Sequence, residues 1–130
     1  DTQYEVVLGF PSANKLFGTD AFKELGANKV HITTDDGSEG HHGFSTDIAI
    51  PLIASHSFDY VATCGPEPMI KKIAEAAIKN DIYCEASLEK GMICGFGVCA
   101  SCVIKTTDGG RAGVCSAGPV FDVRKVVWNE

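Results

Sequence analysis

The chain has 130 residues, 45% of them apolar, with a formal net charge of −6 and a pI near 5.1. That length supports one core and a small second lobe if a metal centre staples it. The 11 basic residues are scattered, which argues against a nucleic-acid surface. No run reaches the ~20 apolar residues that span a bilayer. Asp1-Thr2-Gln3-Tyr4 lacks the basic and apolar regions of a signal peptide, so the expectation is a soluble cytoplasmic protein.

In chain order, Glu5-Val6-Val7-Leu8-Gly9-Phe10 is a nearly continuous apolar run, the composition of a parallel strand buried on both faces. A helix is expected around Asp20 to Leu25, stopped by Gly26, and Lys29-Val30-His31-Ile32-Thr33 reads as the next strand. The polar, glycine-rich stretch from Thr34 to Gly43 reads as a loop. It holds His41 and His42, whose side chains diverge as neighbours do and are expected to be solvated rather than paired on a metal. Ser45 is placed as the N-cap of a helix carrying Ile48, Leu52 and Ile53, weakened internally by Pro51.

Tyr60-Val61-Ala62-Thr63-Cys64 is a further strand, and Gly65-Pro66-Glu67-Pro68 turns it into a helix. Ile70, Ile73, Ala74, Ala77 and Ile78 keep the spacing of one helical face. Ile82 to Ser87 closes the series, with Cys84 read as a core thiol. His31 and His56 are expected to be hydrogen-bonded structural residues. Trp128 and Phe121 are expected to pack a C-terminal lobe or to lie against a partner.

Strand and helix alternate from residue 5 to residue 87, the pattern of right-handed crossovers and a parallel, doubly wound α/β sheet. Ligands of such sheets bind at the carboxyl ends of the strands. There the sequence places Gly9 to Ser12, Thr34 to Gly37 and Cys64 to Glu67. The chain starts at Asp1 rather than Met and opens straight into a strand pattern, which is read as an N-terminally truncated chain.

The C-terminal third carries the most specific signal. Cys94-Gly95-Phe96-Gly97-Val98-Cys99-Ala100-Ser101-Cys102 separates its thiols by four and then two residues, the order of plant-type two-iron loops. Gly95 and Gly97 allow positive φ and bring backbone N–H groups close to sulfur. Val103 to Thr107, the turn Asp108-Gly109-Gly110 and Arg111 to Val114 read as a hairpin that returns Cys115 beside Cys102.

Other readings weigh less. A disulfide framework needs an oxidising compartment, and a redox pair at Cys99 and Cys102 leaves Cys94 and Cys115 without a task. Zinc is the stronger rival, although structural zinc sites usually draw two ligands from each of two knuckles.

The Cys64-Gly65-Pro66-Glu67-Pro68-Met69 turn and the cysteine loop together resemble the ferredoxin reductase-like electron-transfer subunits of class B dihydroorotate dehydrogenases. The likeness extends to Thr34-Asp35-Asp36-Gly37-Ser38, to Ser87-Leu88-Glu89 and to the run from Val114 to Phe121. It implies a partial NAD-binding α/β domain over residues 1–88, lacking its first strand, and a small β-rich [2Fe-2S] lobe over residues 89–130. The family's flavin barrel and glycine-rich loop have no counterpart in this sequence. FAD is therefore expected on the missing N-terminal part, and the central strand of the sheet is expected from another segment or chain.

By the same resemblance Cys94, Cys99, Cys102 and Cys115 hold the cluster. Cys64, Gly65, Pro66 and Glu67 approach the nicotinamide and pyrophosphate, and Phe10, Ser12 and Asp35 lie near the adenosine ribose. Cys64 has a competing reading as a buried strand-end thiol. Pro11 stands where relatives often carry arginine, which leans toward NAD. The function implied is one-electron transfer between NAD/FAD and the FMN of a catalytic dihydroorotate dehydrogenase subunit, within a heterotetramer serving pyrimidine biosynthesis. A ferredoxin:NADP oxidoreductase or sulfide dehydrogenase subunit is the nearest alternative, and a zinc-stabilised binding module is the alternative from another class.

Overall fold

The computed structural model describes residues 2–128, which divide into two compact units after Pro51. In the first, β1 (Glu5–Phe10) pairs in parallel with β2 (Lys29–Thr34), Glu5 opposite Lys29 and Phe10 opposite Thr34. A short 3-10 turn at Ala13–Lys15 and α1 (Thr19–Glu24) connect them. The chain leaves α1 through Gly26, at φ +89°, the left-handed stop the sequence announces. β1 is parallel as expected, but only Phe10 of its six residues is buried. The reason is its place at the edge of a three-stranded sheet in the order β1-β2-β3.

The expected loop from Thr34 to Gly43 contains a two-residue strand, β3 (His41–His42), with His41 opposite Thr33. The Thr34 hydroxyl donates to the Glu39 carbonyl at 2.6 Å and accepts from the Glu39 N–H at 3.1 Å, folding the loop back along β2. Both histidines remain exposed, His41 lying 3.6 Å from Asp47. His31 meets Glu5 at 2.7 Å as a structural partner between adjacent strands. α2 (Ser45–Ala54) runs on through Pro51. The helix starts at Ser45, and the Asp47 carboxylate in its first turn accepts the Phe44 N–H at 2.8 Å.

In the second unit β4 (Tyr60–Cys64), α3 (Glu67–Lys79) and β5 (Tyr83–Ser87) form one β-α-β crossover with parallel strands, Cys64 opposite Ser87. Pro66 occupies the N-cap and Pro68 the first turn, where the missing N–H costs nothing. Ile70, Ile73, Ala74, Ala76 and Ala77 are buried, while Ile78 at the margin of that stripe is 42% exposed. Cys84 and Ala86 on β5 are fully buried. Small residues there let the strand pack closely under α3.

Two features of the C-terminal lobe depart from the sequence reading. The hairpin β6 (Val103–Lys105) and β7 (Arg111–Gly113) forms, but Val114 and Cys115 belong to a one-turn helix, α4 (Val114–Ala117). Beyond it β8 (Val120–Asp122) adds antiparallel to β5, Ala86 opposite Phe121, making that sheet mixed. Val114 and Val123 are fully buried and anchor the lobe. Trp128 donates its indole N–H to the Val123 carbonyl at 2.8 Å. None of the helices among the described residues is long and apolar enough to cross a membrane.

Candidate functional site

The cysteine loop closes through left-handed residues: Gly95 at φ +75°, Gly97 at +92° and Ala100 at +54°. At Gly97 a side chain would also crowd Ser116, whose Cβ lies 3.1 Å from where a Cβ would stand. This coiling turns successive N–H groups inward, toward sulfur. The Cys99 N–H, followed by the Phe96 N–H and the Cys99 side chain, holds the Cys94 pKa down to about 6. The Cys115 N–H reaches the Cys102 sulfur at 3.4 Å and lowers its pKa. Cys115 is pushed the other way by the neighbouring Cys102 side chain, against the Gly97 N–H.

All four thiols are free, and they stand as two pairs, Cys94 with Cys99 and Cys102 with Cys115. Among the described residues no three metal-ligating side chains close around a single point. Cys102 is buried, Cys94 and Cys115 are half-buried and Cys99 is exposed, so the group opens to the surface on the Cys99 side. Four thiolates in pairs, cradled by amide donors that favour negative charge, are a donor set suited to iron and sulfide. The loop is rimmed by exposed apolar side chains, with Ile93 at 85%, Phe96 at 72% and Val98 at 77% exposure.

The residues assigned to a nucleotide fall into two groups, one in each unit. Phe10, Ser12 and Asp35 follow the carboxyl ends of β1 and β2, where the Asp35 N–H donates to the Phe10 carbonyl at 3.1 Å. Phe10 is buried edge-on against Phe17, with ring centroids 5.5 Å apart. Ser12 donates to Asn14 at 2.6 Å. In the neighbouring Asp36, within the Thr34 to Gly37 segment, the Ser38 hydroxyl and N–H hold the carboxyl below its ordinary pKa.

In the second unit Cys64 is exposed, not a buried strand-end thiol. Gly65, at φ +148°, starts the turn. Glu67 pairs with Lys90 at 2.8 Å, tying the N-terminus of α3 to the segment entering the cysteine loop. Gly65, Pro66 and Glu67 line a cavity of about 590 Å³ together with Lys90, Ile104 and Trp128. Cys64 lines a separate cavity of about 320 Å³, with Tyr60, Glu85 and Val120. Cys64 and the turn that follows it thus line neighbouring hollows.

Tyr60 and Tyr83, opposite each other across β4 and β5, both donate to Glu85, at 2.8 and 3.0 Å. That carboxylate is the main cause of the raised pKa of each phenol. Tyr83 and Glu85 alternate along β5, but only strand register brings Tyr60 to the same carboxylate.

Residues 89–127 match the family described as the iron-sulfur cluster binding domain of dihydroorotate dehydrogenase B. A probable electron transfer subunit of dihydroorotate dehydrogenase B (NAD(+)) from Methanopyrus kandleri is 40% identical over 88% of this chain and 42% of its own length. The counterpart from Thermoplasma volcanium is 33% identical over 99% of this chain and 48% of its own. An electron transfer subunit homolog from Aquifex aeolicus is 44% identical over 74% of this chain and 36% of its own.

Among solved structures, one described as an NADH-dependent reduced ferredoxin-NADP oxidoreductase superposes with a TM-score of 0.81 at 30% identity, over 97% of this chain and 45% of that one. The chain is thus a relative of the electron transfer subunits of dihydroorotate dehydrogenase B, spans about half their length, and matches the iron-sulfur cluster binding domain of dihydroorotate dehydrogenase B in residues 89–127.

Proposed function

We propose that this chain is the electron-carrying part of a dihydroorotate dehydrogenase B electron transfer subunit, with a [2Fe-2S] centre held by Cys94, Cys99, Cys102 and Cys115. The observation that carries this reading is the coiled cysteine loop, closed through left-handed Gly95, Gly97 and Ala100, with the Cys115 N–H reaching the Cys102 sulfur at 3.4 Å. Cys94 with Cys99 and Cys102 with Cys115 would hold the two irons of such a centre, two thiolates to each. Such a centre supplies one-electron chemistry between partners that trade electrons singly or in pairs. The chain's own residues set how easily it is reduced, through thiolate charge, amide donors and limited solvent.

In this reading residues 1–88 form the nucleotide-binding part and residues 89–130 the cluster lobe. Phe10, Ser12 and Asp35 contact the adenosine ribose of NAD. Gly65, Pro66 and Glu67 take the pyrophosphate and nicotinamide end at the start of α3, whose N-terminal dipole favours phosphate. Cys64 sits next to that turn. FAD belongs to the portion of the relatives that this chain does not span, and FMN to a catalytic partner in a cytoplasmic hetero-oligomer. The apolar rim of Ile93, Phe96 and Val98 beside the exposed Cys99 supports docking of that partner close to the centre.

Anaerobically prepared protein is expected to hold two irons and two sulfides per chain, and to give a paramagnetic resonance signal after one-electron reduction. One zinc per chain with a silent spectrum overturns the proposal. A second reading, a subunit of an NADH-dependent ferredoxin-NADP oxidoreductase, is favoured by the superposition at TM-score 0.81. Copurification with a dihydroorotate-oxidising flavoprotein decides for the first reading, and ferredoxin-coupled activity without that partner decides for the second.

A further inference from the structure

Three of the four thiols are served by backbone N–H groups: Cys94 by Cys99 and Phe96, Cys102 by Cys115, and Cys115 by Gly97. At Cys99 the partner is a side chain, the Ser101 oxygen lying 3.1 Å from the sulfur. That oxygen already accepts the Ile93 N–H at 3.1 Å. One lone pair of the hydroxyl is thereby engaged and its proton is left to point elsewhere. In the free chain either the thiol or the hydroxyl can donate across the 3.1 Å separation. Once the sulfur is deprotonated on a metal it is acceptor only, and the hydroxyl must be the donor.

We infer that Ser101 is a tuning residue of the centre: a relay from the Ile93 N–H to the Ser101 oxygen, and from the Ser101 hydroxyl to the Cys99 sulfur, raises the midpoint potential. The inference rests on the reading of Cys99 as a cluster ligand. Reduction adds negative charge that spreads onto the ligand sulfurs, and a hydrogen bond to a charged acceptor strengthens as that charge grows. The donor therefore stabilises the reduced form more than the oxidised one. Cys99 is the exposed thiol of the set, so solvent screens the effect and holds it to a modest size.

The test compares wild type with Ser101→Ala and Ser101→Thr, each loaded anaerobically and titrated by optical and paramagnetic resonance readouts. Ser101→Ala is expected to keep two irons and two sulfides, and to lower the reduction equilibrium constant by roughly three- to tenfold, tenfold being 59 mV for a one-electron couple. Ser101→Thr keeps the hydroxyl and is expected to restore the wild-type midpoint. A purely structural serine would leave the midpoint where it was, and an unchanged midpoint in Ser101→Ala, or an equal fall in both variants, overturns the inference.

If Ser101→Ala fails to assemble, the wild type itself decides. Pulsed resonance in H2O and D2O is expected to find an exchangeable proton coupled to the centre on the Cys99 side, and its absence overturns the relay. A wild type with no two-iron signal instead brings down the parent reading, and the two failures are told apart by that first spectrum.

Discussion

Cys94 and Cys84 carry the same functional group in opposite surroundings. Amide donors hold the Cys94 pKa down to about 6, whereas burial first, and then the nearby Asp122 and Glu85 charges, push Cys84 up to about 11. In metal-free protein, alkylation of Cys94 by iodoacetamide is expected to be half-maximal near pH 6, while folded Cys84 stays inert through pH 9. Mass mapping of the labelled peptides reads both. The buried thiol also makes folding depend on pH. Its folded pKa of about 11 exceeds the ordinary value of 9.0, so the unfolded chain gives up this proton first as pH rises. The contribution is therefore complete below about pH 9 and lost by about pH 11, to the extent of roughly 3 kcal/mol. Denaturation midpoints at pH 8 and pH 10.5 are expected to differ less in Cys84→Ala than in wild type.

Elements inherit such constraints where the backbone must coil tightly. Gly97 combines a left-handed φ of +92° with a Cβ position only 3.1 Å from Ser116, whereas Gly109 in the hairpin turn has φ +82° and nothing within 4 Å. Alanine at either position costs about 1–2 kcal/mol of backbone strain. Only Gly97→Ala also displaces the thiol loop, so it is expected to lose most of its iron while Gly109→Ala keeps it, as iron and sulfide analysis of reconstituted protein would read.

The same contrast explains what the sequence made legible. α3 was plain because its apolar stripe has helical period, and the cysteine loop because its spacing is chemically narrow. β8 was hidden, since Val120-Phe121-Asp122 is too short to show alternation and its pairing with β5 is long-range. α4 was hidden because a single turn has no period to read. Ser101 escaped notice for a related reason: a serine between two cysteines looks like spacer until the fold sets its oxygen beside Cys99.

At the scale of the molecule, an acidic chain with net charge −6 still exposes Ile93, Phe96 and Val98 around its redox loop. Isolated apolar side chains on a surface need no explanation, but here three exposed ones fall within six residues, beside an exposed thiol. Electron transfer gains from a close, dry contact at this point, and a partner that covers these side chains supplies both. Phe96 is the largest of the three and projects from the loop with 72% of its surface exposed, so Phe96→Asp removes an aromatic anchor and places a charge where the interface must desolvate. The expected result is at least about tenfold weaker association with the catalytic flavoprotein, equivalent to about 1.4 kcal/mol or more. Iron content and the resonance spectrum should stay at wild-type values, because the Phe96 N–H that faces Cys94 belongs to the backbone and is kept. Sedimentation or size-exclusion binding of the loaded full-length subunit reads the first quantity and anaerobic spectroscopy the second. Unchanged binding would place the docking surface elsewhere, and a changed spectrum would show that the side chain serves the loop itself.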